Sequence, residues 1–393
     1  MLAATTMMQV ACTTMAALSF PSTTHTSTDN SSAYAPFASS RAREPPITLD
    51  DLLRGGTPPA AGPVDDAWLG PGPGALPASN ALHGALVLLN TENIALNVVR
   101  DDFDYARFPT RRRLPPGLRV ELTTDTNGHV IPVKTGLQIT GDIVWNLFFT
   151  TGITWDEPEN TDGGWSRALV PFALSERNAN CIHNGLMLFA FWGRDAIPAI
   201  SGVRFQITQE TCLYYKVDYW GQLMATFEGI SSGQPPLLEA RARHARELQA
   251  RLPTKPIEQL AVDFPGFEPD VFGRGLTPIH VSSLGVTVAA PAGQGAPVLT
   301  HYVRDCVTRT GDYAGLCDEM ILPSYSLAKS IVGGLGLMRL AHLLGGADPS
   351  ASNPLPLSFR DNHFFLPQLA CTGNWCAHGC LWRARERRAS GTM

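Results

Sequence analysis

Residues 185–192 read GLMLFAFW, a short run of apolar and aromatic side chains that is followed at once by Gly193. Short runs rich in β-branched or aromatic residues and separated by Gly, Asn, Asp or Pro are typical of β-strands. Seven similar runs surround this one: ALVLLN (85–90), IALNVV (94–99), LRVELTT (118–124), HVIPV (129–133), LQITGDIVWNLFF (137–149), VRFQIT (203–208) and CLYYKVDYW (212–220). The repeated pattern predicts an antiparallel β-rich domain, sandwich-like or barrel-like, over residues 84–230.

The sequence on either side of this domain has a different character. Residues 21–80 are rich in Ser, Thr, Pro, Gly and Ala, and they have too little apolar surface to order themselves. They predict a disordered linker. On the other side, PLLEARARHARELQARL (236–252) combines helical spacing with many Arg and Glu residues, which indicates an exposed amphipathic connecting helix.

Length and composition narrow the class of protein. A chain of 393 residues can form two domains, each with its own core. The net charge of −5 and the charged fraction of 17% argue against a nucleic-acid-binding protein and against overall disorder. No stretch of 18 uninterrupted apolar residues occurs, so no transmembrane segment is predicted.

The first twenty residues, MLAATTMMQVACTTMAALSF, are mildly apolar and suggest a signal segment over residues 1–20. They lack a basic region, because the first basic residue is Arg41. We nevertheless expect an extracytoplasmic protein, either periplasmic or secreted.

Eight cysteines leave room for disulfide bonds. Cys306 and Cys317 flank a short polar loop, VTRTGDYAGL, which suits a disulfide across a turn. Cys181 and Cys212 lie in strand-like segments and are a second candidate pair. The alternative for all four residues is an ordinary buried thiol.

The stretch ILPSYSLAKSIVGGLGLMRL (321–340) is nearly all apolar after its first residues and predicts a buried helix. Ser326 and Lys329 are three residues apart near its start, so a helix would bring them to one face, one turn apart. A lysine desolvated by Leu and Ile side chains can accept a proton from a serine hydroxyl. The pair therefore predicts Ser326 as a nucleophile and Lys329 as its base.

PSYSLAKSIVGGLGLMRL resembles the nucleophile helix of the serine β-lactamase and penicillin-binding-protein superfamily, in particular the class C β-lactamase and esterase branch. GVTVAA (285–290) and VLTHYVRD (298–305) resemble the two N-terminal strands that precede this helix in the family. The resemblance covers residues 276–345 and implies the N-terminal part of a β-lactamase-like α/β sandwich, and hence an α+β chain. It also implies hydrolysis of a small-molecule or peptidoglycan-like acyl substrate, an amide or ester, by acyl transfer at Ser326.

The family's later motifs are missing from this sequence. Tyr325 is the last tyrosine and Lys329 the last lysine, and the residues after them hold no Ser-x-Asn and no late Lys/His-Thr/Ser-Gly. We therefore expect a hydrolase truncated after the nucleophile helix and impaired, with an irregular tail over residues 346–393. The alternative is a non-catalytic binding or structural protein whose working part is the β-rich domain.

Other candidate sites are weaker. VKTG (133–136) is better explained as a turn between strands, because it lies well before Ser326 whereas the family order is the reverse. WDEPENTDGGW (155–165) could hold calcium, although a solvated acidic loop fits better. Cys371, Cys376, His378 and Cys380 have an irregular spacing for zinc. The sequence thus predicts no cofactor and no metal, and it leaves the oligomeric state open.

Overall fold

The structure is a computed structural model of the full chain. It describes residues 47–54, 63–91, 96–178, 181–193, 198–210, 215–269, 284–290, 298–304, 306–309, 311–323, 329–334, 336 and 339. The chain divides into two compact units. The larger, here called the β-rich unit, comprises Pro36–Leu248 and Thr308–Met393, and the smaller unit comprises Met1–Ala35 and Gln249–Val307.

Eighteen strands are formed in the described residues: β1 Leu76–Pro77, β2 His83–Leu88, β3 Asn97–Asp101, β4 Arg119–Thr124, β5 His129–Pro132, β6 Trp145–Phe149, β7 Gly152–Asp156, β8 Ser166–Glu176, β9 Ile182–Trp192, β10 Ala199–Ile200, β11 Val203–Glu210, β12 Val217–Leu223, β13 Ala225–Gly229, β14 Thr254–Pro256, β15 Leu284–Ala290, β16 Val298–Arg304, β17 Val307–Thr308 and β18 Gly311–Asp312. The α-helices are α1 Leu49–Leu53, α2 Pro235–Ala250 and α3 Gln259–Asp263. Single turns of 3₁₀-helix lie at Asp66–Trp68, Tyr105–Arg107, Pro109–Arg111, Pro158–Asn160 and Cys317–Glu319, and a π-helical segment spans Lys329–Gly334.

The β-rich unit is built on a 13-stranded sheet with the order β13-β2-β4-β5-β7-β8-β9-β11-β12-β3, while β1, β6 and β10 pair with β7, β8 and β9. Every pairing in this sheet is antiparallel. The predicted antiparallel β-rich fold is therefore confirmed at this level, and the chain is mostly β with few helices. The β-lactamase-like sandwich that was predicted to follow stays a prediction.

The centre of the sheet is the pair β8 and β9, which contains the run GLMLFAFW. The two strands pair in register from Ser166↔Phe191 to Ser175↔Ile182. Both are buried along nearly all of their length, which is why their sequences are apolar on both faces instead of alternating. The core of the unit includes Trp145, Phe149, Phe172, Phe189 and Phe205, each at most 1% exposed. Burying one such ring stabilises the fold by about 1.5–3 kcal/mol.

A β-bulge interrupts the strand that borders β8. β6 and β7 pair with β8 in one line, from Phe149↔Phe172 in β6 to Ile153↔Leu169 in β7. The β6–β7 side advances one residue more than β8 between these two pairs, so an extra residue is accommodated near Thr151. Bulges re-aim side chains and are frequent beside functional sites.

The amphipathic helix predicted over residues 236–252 is present as α2. Its buried residues are Leu237, Ala240 and His244, at a helical spacing that places them on one face. Two arginines fasten this helix to the sheet. Arg243 donates to the carbonyl oxygens of Pro132 (2.8 Å) and Val133 (3.2 Å), and Arg241 donates to Thr123 Oγ1 (2.6 Å).

Part of the stretch predicted as a disordered linker, residues 21–80, is structured, so the prediction is wrong for residues 47–54 and 63–80. Thr48 caps α1 by a reciprocal capping box with Asp51, and Leu52 is fully buried. Gln222 Nε2 donates to the Asp51 carbonyl (2.7 Å). The order therefore comes from a local cap and from contacts with a distant strand, neither of which is visible in composition. The other residues of the stretch lie outside those described.

The smaller unit contains a three-stranded sheet in which β16 pairs with β14 in parallel and with β15 in antiparallel fashion. Its core joins Ile257, Leu260 and Tyr302. At its edge, Asp263 accepts hydrogen bonds from Lys255 Nζ (2.6 Å) and Tyr302 Oη (2.7 Å). The hydrogen bond from Lys255 is the largest of the effects that lower the pKa of Asp263 to about 2.

Candidate functional site

The structure describes the backbone that follows the predicted nucleophile but not the nucleophile itself. Ser326 lies outside the described residues. Lys329 is the first residue of the π-helical segment Lys329–Gly334, and positions 336 and 339 are also helical. Helical backbone therefore follows Ser326, as the apolar run predicted, but the predicted burial is wrong where the structure describes it: Val332 is 68% exposed, and Gly336 and Arg339 are exposed as well. The approach of the Ser326 hydroxyl to Lys329 stays a prediction.

The two strands predicted ahead of this segment are present. β15 and β16 form an antiparallel pair, from Leu284↔Arg304 to Ala290↔Val298. The sequence resemblance called for two adjacent strands at these positions, and their existence and pairing are confirmed. Both belong to the smaller unit.

The predicted disulfide between Cys306 and Cys317 is present. Cys181 is also disulfide-bonded, but Cys212, its predicted partner, lies outside the described residues. The four candidate zinc ligands also lie outside the described residues: Cys371, Cys376, His378 and Cys380.

Residues 308–309 and 311–323, here called the docking segment, precede Ser326 in the chain and belong to the β-rich unit. Tyr313 Oη donates to the carbonyl of Gly185 in β9 (2.8 Å). Asn184, beside Gly185, exchanges two hydrogen bonds with the main chain of Ile321, each 2.9 Å long. The chain leading to Ser326 is thus held on the central strand of the sheet up to at least Ile321.

A buried ionic cluster anchors the start of the docking segment. Arg309 pairs with Asp218 of β12, with a distance of 2.9 Å from Nε to Oδ2, and with Glu210 of β11. Arg100 of β3 also contacts Glu210 (3.0 Å). Burial raises the pKa of Glu210 even though both arginines oppose the shift. Since each charge is paired within the cluster, its role is to hold the segment, and it is not a candidate catalytic centre.

His183 lies beside this cluster and is fully buried. Its ring packs edge-on against Trp145, with the ring centroids 5.2 Å apart. Burial, followed by the repulsion of Arg309, lowers the pKa of His183 to about 3, so the imidazole is neutral.

A second cluster, which the sequence did not predict, lies where α2 crosses the sheet. It consists of Asp125 in the turn after β4, His129 at the start of β5, and His244 on the buried face of α2. The Nδ1 atom of His129 is 2.8 Å from Asp125 Oδ2, and the His129 and His244 rings meet edge to face with centroids 4.7 Å apart. Both histidines are buried, at 3% and 4% exposure.

The turn that carries Asp125 holds its carboxylate in place. Oδ1 accepts hydrogen bonds from the main-chain N–H groups of Asn127 and His129, each 2.9 Å long. Burial by itself raises the pKa of Asp125, but the hydrogen bonds from the ring and main chain of His129 outweigh burial and lower that pKa below its ordinary value. The cluster therefore contains a carboxylate anion at neutral pH.

The β-bulge supplies the neighbour of His244. Thr151 Oγ1 lies 3.4 Å from His244 Nδ1, and the main-chain N–H of Thr151 donates to Glu319 Oε2 (3.1 Å). Thr150 Oγ1 also donates to the carbonyl of Glu319 (2.8 Å). One pair of threonines thus contacts both the histidine cluster and the docking segment.

The acidic loop 155–165 is explained by an arginine and not by calcium. Arg167 is 2% exposed and binds Asp162 through Nε (2.6 Å) and Nη2 (3.0 Å). Trp155 Nε1 donates to Glu157 (2.9 Å). These carboxylates therefore serve internal contacts, and the prediction of a merely solvated loop is wrong for them.

Lys134 follows β5 at a turn where Gly136 has a φ of 81°, which agrees with the turn predicted for VKTG (133–136).

Comparison with known proteins gives no significant match to a family model, a curated sequence or a solved structure. Within the described residues, no helix is long and apolar enough to cross a membrane.

Proposed function

We propose that this chain is a serine hydrolase of the β-lactamase-related type, in which Ser326 is acylated with the assistance of Lys329. The supporting observation is the Ser-x-x-Lys sequence immediately ahead of helical backbone at Lys329–Gly334. Residues three apart on a helix lie on one side of it, so a helix that includes both residues brings the amine to the hydroxyl.

The chemistry needs one proton acceptor and one electrophile. The neutral amine of Lys329 takes the proton of the Ser326 hydroxyl while Oγ bonds to the carbonyl carbon of a lactam, amide or ester. The tetrahedral intermediate then breaks its bond to the leaving group, which takes the proton from the ammonium. The product is a seryl ester, and its hydrolysis requires water and a further proton transfer.

We expect Ser326 to be acylated faster than the resulting seryl ester is hydrolysed. No tyrosine and no lysine follow Lys329 in the 393 residues, so the third titratable group that the related enzymes use is not supplied by those residue types. The Lys/His-Thr/Ser-Gly motif, which supplies an oxyanion donor on a late strand in the related enzymes, does not occur after Lys329 in the sequence; losing one such donor typically costs about 10²–10³ in rate.

The test is covalent labelling of the purified chain with a fluorescent penicillin and with a p-nitrophenyl ester, followed by peptide mass spectrometry. We expect one adduct, on Ser326, that is absent from Ser326→Ala and strongly reduced in Lys329→Met. Ser324→Ala and Ser330→Ala are matched controls, because they remove neighbouring hydroxyls and should label normally. Labelling that persists in Ser326→Ala, or no labelling of the unaltered chain, would reject acyl transfer at this serine.

The second candidate is a non-catalytic binding or structural protein that works through its β-rich unit. The observation that favours it is the attachment of the docking segment to β9 through Tyr313 and Asn184, which makes the approach to Ser326 part of that unit. Absence of labelling in correctly folded protein would favour this function over the first.

We further propose an extracytoplasmic location. The Cys306–Cys317 disulfide and the disulfide-bonded Cys181 support it, because such bonds persist in oxidising compartments. A small-molecule or peptidoglycan-like acyl substrate fits that location.

A further inference from the structure

We propose that Asp125, His129 and His244 form a binding site for a divalent transition-metal ion, with zinc the best-suited ion. The three residues belong to the β-rich unit and come from a turn, a strand and a helix. One donor atom from each lies within 4.8 Å of the other two. The site is independent of acyl transfer at Ser326, and its test does not use enzymatic activity.

The donor set selects the kind of ion. Two imidazoles and one carboxylate suit zinc and the neighbouring divalent transition metals, whereas calcium and magnesium prefer oxygen ligands throughout. The negative charge of Asp125 offsets part of the charge of a divalent cation. Coordination requires both imidazoles in the neutral form, so zinc binding should weaken at low pH.

The distances require a modest contraction. Zinc lies about 2.0–2.2 Å from nitrogen and oxygen ligands, so the ligand atoms of a tetrahedral site are roughly 3.3–3.6 Å apart. Donors within 4.8 Å of one another must therefore approach by at most about 1.2–1.5 Å. Rotation of the imidazole rings and of the carboxylate provides a movement of this size without displacing the main chain.

The groups around the cluster hold its side chains in the manner seen at metal sites. Metal-binding histidines are usually oriented by a hydrogen bond at their other ring nitrogen. His244 has the Thr151 hydroxyl near Nδ1, so its ligand atom would be Nε2. The contact between Asp125 and His129 Nδ1 joins two of the proposed ligands and keeps them side by side. Thr151 is in turn placed by the bulge and by its main-chain hydrogen bond to Glu319. The bulge thus contributes to the site by placing Thr151 beside His244.

The site is open to solvent on one side, and the neighbouring arginines bind groups outside it. The Asp125 side chain retains 16% exposure, so the cluster reaches the surface on that side. The nearest arginines of α2 are occupied elsewhere: Arg241 donates to Thr123 and Ser232, and Arg243 to main-chain carbonyls of β5.

The experiment measures metal binding by the full chain. After treatment with a chelator, ZnCl₂ is titrated by calorimetry and by competition with a chromophoric chelator, and the thermal midpoint is recorded with and without zinc. We expect one zinc ion per chain at this site and a rise of the midpoint of about 5 °C or more at saturating zinc. His244→Gln and Asp125→Asn should each weaken zinc binding at least tenfold.

His83→Gln is the matched control. His83 is a partly buried histidine of β2 that contacts Thr123 at 3.0 Å, close to the same helix but outside the cluster. Its substitution should leave zinc affinity unchanged. Because Cys371, Cys376, His378 and Cys380 could also bind zinc, every titration is repeated in a Cys376→Ser/Cys380→Ser background, in which binding at the proposed site should persist.

Cobalt provides a measurement that does not depend on a variant folding. Co²⁺ bound by two imidazoles and a carboxylate gives visible d–d absorption without the thiolate charge-transfer bands that cysteine ligands cause. Such a spectrum from the unaltered chain supports the site. The proposal is overturned if the cysteine-substituted background binds neither ion, or if folded His244→Gln and Asp125→Asn bind zinc as tightly as their parent.

Discussion

Replacing Gly152 with alanine tests how closely β7 packs against β8 beside the bulge. Gly152 lies at the start of β7, between β5 and β8. A Cβ atom added there would lie 1.9 Å from the carbonyl oxygen of Leu169 and 2.9 Å from Val130 Cγ1. The first contact is with the main chain of the central strand pair, so it cannot be relieved by turning a side chain.

The cost follows from the displacement required. An ordinary carbon–oxygen contact is about 3.3 Å or more, so β7 must move by more than about 1 Å away from β8. Such a movement removes about three main-chain hydrogen bonds at roughly 1 kcal/mol each, and overpacking adds about 1 kcal/mol or more. We expect the free energy of unfolding to fall by about 3–5 kcal/mol and the thermal midpoint by about 10 °C or more.

Gly141→Ala is the control, because a Cβ atom at Gly141 meets nothing within 4 Å. Both substitutions restrict the unfolded chain equally, so their difference isolates the clash. The assay is urea unfolding followed by near-ultraviolet circular dichroism, with thermal scans of the same samples. The reasoning fails if Gly152→Ala unfolds within about 1 kcal/mol of Gly141→Ala with an unchanged m-value.

Three further predictions concern other contacts. Cys306→Ser/Cys317→Ser should lower stability by about 3 kcal/mol, the value for closing a loop of roughly 15 residues, and an unchanged thermal midpoint would contradict this. Tyr313→Phe should cost about 1 kcal/mol in urea unfolding, because it removes the hydroxyl that binds a strand carbonyl; equal stability would show that this bond contributes nothing. Asp263 should titrate with a midpoint of about 2 by carboxyl ¹³C NMR, below its ordinary value of 3.8, and Lys255→Met should raise the midpoint. Because the folded-state pKa is depressed, the stability that Asp263 contributes is present above about pH 4 and is lost as the pH falls through 2; a midpoint near 4 in the unaltered protein would refute the assignment.

Local sequence was sufficient for the elements whose stabilising pattern is local. The runs around GLMLFAFW are short, apolar and bounded by turn residues, and they became β2–β6, β9, β11 and β12, whereas the central strand β8 lies outside the predicted runs. The helical spacing of Leu237, Ala240 and His244 likewise marked the buried face of α2. The Cys306–Cys317 disulfide was predictable because the two cysteines flank one short loop.

Composition failed where a few specific contacts decided the outcome. Residues 47–54, ITLDDLLR, lie inside a stretch whose overall composition is that of a linker, yet α1 is ordered by the capping box at Thr48 and by the burial of Leu52. The entropy of ordering such a segment is offset only by contacts with the sheet, and these contacts are made by residues more than a hundred positions away.

The candidate metal site shows the same division most clearly. Asp125 and His129 are close in sequence, and a reader of the sequence could have paired them across a turn. His244 is separated from them by most of the β-rich unit, and Thr151 faces it because an extra residue is accommodated in the β6–β7 strand. No local periodicity encodes where a helix crosses a sheet or which side chain a bulge turns inward. The sequence by itself therefore determined α2 and most strands of the large sheet, because their patterns are local, and only the packing of α2 across β4, β5 and the bulge brought the three donor residues together.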